Sequence, residues 1–192
     1  VEKGVLSRKN LYTLRKGELV SNQIIRELVP LDVEIVKVRS GDKTTACVFL
    51  DESGSACSIY ENRPAECRAL ECWDTDALAA MYDRHRITRA DISDSESGIS
   101  QLAAEHGEKC SIAELAKLAE GYLKEDEASG EALLDLLGYD RALRQALVQR
   151  VPQSEDVILF YFGRSLEDIL PTFGVTVYRM GDKFTLAARQ TG

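Results

Sequence analysis

Cys47, Cys57, Cys67 and Cys72 fall within one 26-residue string, CVFLDESGSACSIYENRPAECRALEC, with nine, nine and four residues between them. Thiols gathered this closely along a chain serve as thiolate ligands of a shared metal or pair as disulfides. A third reading makes them four reduced cysteines that pack as small apolar side chains. A metal would require the sulfurs to converge within a few ångströms. The spacing permits it, since Pro64 bends the chain before Cys67, and Cys67 and Cys72 sit slightly more than one helical turn apart. It is not the spacing of a zinc finger or ribbon, which sets cysteines two to four residues apart, nor that of the bacterial ferredoxin run. Spacing therefore leaves the metal unnamed. The chain has five cysteines and no charged segment leading into an apolar stretch at its start. We expect a reducing, cytoplasmic setting, in which clustered cysteines favour metal over disulfides.

Elements must bring these residues together. Val33 to Val38 alternates apolar and charged residues and reads as a strand, Ser40, Gly41 and Asp42 as a turn, and Thr44 to Leu50 as its hairpin partner. Asn10 to Arg15 reads as a short helical turn closed by Gly17. Helices follow. Asp74 or Thr75 would cap one through Met81, Ser95 or Ser97 one through Ala104, and Ser111 with Glu114 forms a capping box ahead of Leu115, Leu118, Ala119 and Tyr122. Gly138 reads as a break, with Asp140 capping a last helix through Leu143, Leu147 and Val151. Val157 to Phe162 fits strand or helix, and Ser165 would cap a helix reaching Leu170. Val175 to Arg179 and Lys183 to Ala187, around Met180, Gly181 and Asp182, form a hairpin. The fold class is α+β: a small cysteine-bearing β-hairpin and loop module over residues 1–75, then a helical region with a C-terminal hairpin over 76–192, packed with the module as one unit.

The pieces Ser58-Ile59-Tyr60-Glu61, Arg63-Pro64 and Cys67-Arg68, in the pattern CxFLD…GxCSIYExRPxECRxLxC, resemble the cysteine-cluster family known as CxxCxxCC or YkgJ-like, a zinc- or iron-chelating domain. The likeness is sharpest from Cys47 to Cys72. It extends more loosely to LYTLRKGE (Leu11 to Glu18) and to CWDT (Cys72 to Thr75), and leaves the helical region unmatched. It implies that Cys47, Cys57, Cys67 and Cys72 ligate an iron–sulfur cluster or zinc. Proteins of this pattern include a flagellin lysine N-methylase, which adds weight to iron–sulfur but lends this chain no activity. In the family a CxxCxxCC run lies upstream, whereas no cysteine precedes Cys47 here. Because residue 1 is Val, that run is expected to have been cut away from the chain.

Arg63 and Arg68 flank the cysteines and would stabilise an anionic metal–thiolate centre; a surface pairing of Arg63 with Glu61 or Glu66 is the plainer alternative. Tyr60 reads as a core residue, and Trp73 as a shield over the site or a core residue. Cys110 reads as a structural thiol, His85 and His106 as solvent-exposed histidines, and His106-Gly107 as a helix end. Asp91, Asp94 and Glu96 read as a polar loop. No GxSxG, P-loop, GxGxxG or HExxH pattern occurs. The net charge of −8 argues against nucleic acid, and the absence of 18 consecutive apolar residues against a membrane span. The favoured function is metal binding, iron–sulfur ahead of zinc. Two alternatives stand beside it: a zinc-stapled module whose helices bind a protein partner, and the accessory module of a modifying enzyme such as a protein methyltransferase.

Overall fold

The computed structural model describes residues 5–41, 44–51, 53, 55–71, 73–82, 84, 86–150, 154–181 and 183–189. Cys72 and His85 lie outside the described residues.

The chain opens with a short 3₁₀ turn over Arg8–Asn10 and strand β1 (Leu11–Leu14), where a helical turn was expected. Long-range partners decide this segment. Strand β4 (Ile35–Val38) pairs with β1 antiparallel, Leu11 opposite Val38 and Leu14 opposite Ile35, and Thr13 Oγ1 donates to the Phe160 carbonyl at 2.6 Å. Between them β2 (Leu19–Asn22) and β3 (Glu27–Pro30) form a hairpin closed by Asn22, whose Oδ1 accepts from the Ile24 and Ile25 amides. The expected hairpin of Val33–Val38 with Thr44–Leu50 shrinks to its closed end, the Val48 amide on the Arg39 carbonyl and the Gly41 amide on the Ala46 carbonyl, because β4 pairs with β1 on one edge and its Val36 amide goes to the Ile87 carbonyl. Residues 44–50 make a single bridge, Ser40 to Cys47, and then the two-residue ladder of β5 (Leu50–Asp51) with β6 (Ala56–Cys57). Two short helices follow, α1 (Ala65–Ala69), entered at Pro64, and α2 (Asp76–Ala80).

The helical body starts at α3 (Gly98–Lys109), capped by Ser97, whose oxygen accepts from the Ser100 amide. This helix continues past the expected end at His106-Gly107. Helix α4 (Ile112–Leu123) is capped by Ser111, which accepts from the Glu114 amide. Helix α5 (Glu127–Arg150) runs unbroken for 24 residues, through the break expected at Gly138. Burial of Leu133, Leu137 and Leu147 outweighs the roughly 1 kcal/mol that a helical glycine costs. Asp140 therefore does not start a helix; it points inward from the middle of one. Helix α6 (Ser154–Phe162) resolves the strand-or-helix ambiguity, and Ser165 caps α7 (Leu166–Ile169), which passes into a 3₁₀ turn ending at Gly174 (φ 85°). The C-terminal hairpin forms as expected, with β7 (Val175–Met180) and β8 (Lys183–Ala188) in register from Val175–Ala188 to Met180–Lys183.

Two apolar cores hold the body. One gathers Cys110, Ile112, Leu115, Leu133, Leu137, Leu166, Ile169, Leu170 and Val175. The other joins Leu11 of β1 to Ala103, Leu147, Phe160, Tyr161 and Phe162. Between Leu31 and Ala103 no described residue is buried. That whole stretch, which carries the cysteine string, has only partly shielded side chains. Its ties to the body run through Val36, Val38, Ile92, Ile99 and Leu102, which lean on the second core, and through Arg89, which pairs with Glu34 at 2.7 Å within the stretch. Arg89 also donates to the Tyr161 carbonyl.

Candidate metal centre

Backbone pairing positions two of the thiols. Cys47 follows the Gly41–Ala46 turn and bridges to Ser40, while the Leu50 amide donates back to the Cys47 carbonyl at 2.9 Å. Cys57 stands opposite Leu50 on β6, and the next residue, Ser58, bonds the Phe49 carbonyl through both its amide and its hydroxyl. Cys67 sits in the middle of α1, where Pro64 has ended the preceding 3₁₀ turn over Tyr60–Asn62. The three thiols are free rather than paired. Partial shielding raises the pKa of Cys67, and the Cys47, Glu66 and Cys57 groups around it raise it further against the opposing pull of Arg63. The three sulfurs do not all lie within 4.8 Å of one another, so the upward shift of Cys67 does not by itself bring them to one point. A cation would reverse it, since a bound metal favours the thiolate form that the neighbouring thiols disfavour. Cys47 and Cys67 are exposed and Cys57 is half-buried, so no apolar packing accounts for their presence.

Both arginines are turned to local work. Arg63 lies over the Tyr60 ring, 3.9 Å from its centroid, and Arg68 Nε donates to the Arg63 carbonyl at 2.9 Å. Arg68 thus ties α1 to the turn before it. Tyr60 is not a core residue, being 55% exposed, and neither is Trp73, which is 85% exposed. Both expectations assumed a core that this part of the chain does not possess.

One meeting of ligand-type atoms was not anticipated from the sequence. Atoms of His106, Cys110 and Asp140 lie within 4.8 Å of one another, the one such group of three among the described residues. His106 is 1% exposed, not a solvent-facing histidine. The signal for it was the i, i+4 spacing of His106 and Cys110, which puts both on one face of α3. Asp140 is heavily committed. Its Oδ1 accepts from His106 Nε2 at 2.7 Å and from Arg144 Nε at 2.9 Å, and its Oδ2 accepts from the Leu166 amide at 3.0 Å. Burial alone would raise the Asp140 pKa, but these partners overcome it and hold the carboxyl below the usual range. Burial keeps His106 neutral by lowering its pKa, despite the attraction of Asp140. Burial and the Asp140 charge push Cys110 up to about 11, so it stays a thiol.

The same cluster continues to the front of the chain. Glu18, fully buried, accepts the Arg164 guanidinium at 2.6 Å and the Arg15 amide at 2.8 Å, and Arg15 Nη1 donates to the Cys110 carbonyl at 3.2 Å. Arg144 also donates to the carbonyls of Phe162, Gly163 and Arg164. Arg15, Arg144 and Arg164 thus face Glu18 and Asp140, one positive charge in excess. A cation meets that excess charge there, although His106 Nδ1 is buried without a hydrogen-bond partner. This cluster is a polar seam that joins β1 to the helical body.

Residues 14–83 match the profile of a family described as CxxCxxCC, "putative zinc- or iron-chelating domain", over about a third of the chain. The matched segment runs from the end of β1 to just past α2 and includes all four clustered cysteines, but none of the helical body. No curated protein and no solved structure matches the chain.

Proposed function

We propose, for a chain whose residues 14–83 carry a zinc- or iron-chelating family match, that Cys47, Cys57, Cys67 and Cys72 hold one metal–thiolate centre, and that this centre holds the front module folded. The observation that carries this reading is the missing core. More than 70 consecutive positions between Leu31 and Ala103 bury no described residue, yet the segment adopts defined turns, ladders and short helices. A segment that buries so little apolar surface does not recover its conformational entropy from burial alone. Where a domain lacks a core, metal binding is the usual substitute, and its free energy becomes folding free energy.

The donor set suits the role. Thiolates are soft ligands that take zinc or an iron–sulfur cluster equally well. Zinc would close a four-coordinate structural site; a cluster would add a one-electron carrier near the surface. Arg63 would temper the negative charge of either centre, and Arg68 would hold Arg63 and α1 in place. The His106–Cys110–Asp140 group is the second place for a metal; His106 Nε2 and Asp140 are committed to each other and to Arg144, while His106 Nδ1 is buried without a partner, and the excess of arginine charge favours the seam role.

Metal content and the visible spectrum of protein purified without oxygen test the proposal. A broad band near ~400 nm with iron and sulfide identifies a cluster, and a colourless protein with about one zinc per chain identifies a staple. Oxygen-free protein that is folded over residues 44–82 and carries neither metal overturns the reading.

A further inference from the structure

The front module displays large apolar side chains that the helical body does not cover. Leu50 is 44% exposed, Tyr60 55%, Leu70 52% and Trp73 85%, and all four lie in the loops that bear the thiols. Isolated exposed apolar residues are ordinary, but several on one small module, including the single Trp of the chain, mark an interaction surface. The charge around them has one sign. From Cys47 to Asp76 the described residues include Asp51, Glu61, Glu66, Glu71, Asp74 and Asp76, against Arg63 and Arg68 alone. Both arginines are engaged at home, one over the Tyr60 ring and one on the Arg63 carbonyl.

We propose that the described residues between Cys47 and Asp76 carry a docking face for a cationic polypeptide, with Trp73 as its apolar anchor. A carboxylate rim around exposed aromatic and aliphatic groups complements a partner that presents lysine or arginine around an apolar contact. Trp is the residue type most often found at the energetic centre of such contacts. Charge decides against the other occupants. A second copy of the chain brings another −8, and nucleic acid or an anionic membrane brings phosphate. The inference deepens the metal-module reading, because the loops that carry this face are the ones the metal would hold.

The test uses the full chain, with metal content measured first, so that an unloaded protein counts against the metal reading and a loaded one that fails to bind counts against this one. A lysine/leucine amphipathic peptide is titrated while the emission of Trp73 is followed, with calorimetry alongside. Its glutamate/leucine counterpart and phosphatidylserine vesicles serve as the other probes. The lysine peptide is expected to bind and shift the emission to the blue. The double substitution Glu66→Lys/Glu71→Lys, and separately Trp73→Ala read by calorimetry, are each expected to weaken it by about tenfold or more. Equal binding of the two peptides, unchanged affinity in the variants, binding to the vesicles, self-association of the free chain through this face, or no binding by the loaded protein each overturns the proposal.

Discussion

The helical body and the cysteine-bearing stretch before it are held together by different physics. The body buries Leu115, Leu133, Leu137, Phe160, Phe162, Leu166 and Ile169 to 1% exposure or less, and threads a polar seam of Asp140, His106, Arg144, Arg15 and Glu18 between its two cores. The stretch between Leu31 and Ala103 fully buries nothing among its described residues; it has turns, short ladders and, at its two ends, partly buried contacts with the second core. One region is stable by exclusion of water. The other, on our reading, is stable by coordination. Conditions that spare one should therefore destroy the other.

The largest effect should come from Cys67→Ser. Loss of one ligand should empty the centre and unfold residues 44–82, with amide exchange there faster by at least about tenfold while α3, α4 and α5 keep their protection. Retained metal and unchanged exchange would break the contrast between the two regions. Next comes Asp140→Ala, which strips a buried carboxylate from His106, Arg144 and the Leu166 amide; it should cost the body about 3–5 kcal/mol in urea unfolding and leave metal content unchanged. A loss below about 1 kcal/mol would mean that the seam does not hold the body.

The pH dependence of the body should follow from the same group. His106 has its pKa lowered from 6.5 by burial, so the unfolded chain takes up a proton before the folded one, and stability falls as pH drops below 6.5. Asp140 acts in the same direction at lower pH. Its folded pKa lies under the ordinary 3.8, so its contribution, complete above that value, disappears as pH falls through the folded pKa. The urea midpoint of the helical body should drop between pH 7 and pH 5, and His106→Gln should flatten that slope. A midpoint level across this range in the parent protein would remove His106 from the account. The smallest effect should be Tyr60→Leu, which deletes the exposed stacking under Arg63; about 0.5–1 kcal/mol is expected, visible only in the metal-loaded front module.

Sequence reasoning succeeded where order is local. Ser97, Ser111 and Ser165 cap the helices as their positions suggest, and the Met180-Gly181 turn places the last hairpin, because caps and tight turns are decided by neighbours within a few residues. It failed where distant partners decide. Leu11–Leu14 was read as a helical turn because nothing nearby announces that β4 and Phe160 will claim it. Gly138 and Asp140 were read as a boundary because a glycine and a capping carboxylate carry that meaning in isolation; burial of Leu133 and Leu137 overrode it. The cysteine string was conspicuous from its density alone. The His106–Asp140 contact spans 34 positions and lay beyond any pattern. Trp73 and Tyr60 misled for a related reason, since large aromatics are usually read as interior groups and the described residues between Leu31 and Ala103 form no interior of their own.

The seam has a consequence for biogenesis. Thr13 docks on Phe160, 147 positions later, and Glu18 on Arg164, 146 positions later. On the ribosome β1 and its partner β4 are made well before α6, so the contacts of β1 with the helical body form late. Until then Leu11 lacks the Phe160, Tyr161 and Phe162 side chains of the second core and stands open to chaperones and to neighbouring nascent chains. Synthesis rate and crowding, more than the final fold, would then govern how much of this protein reaches its native state.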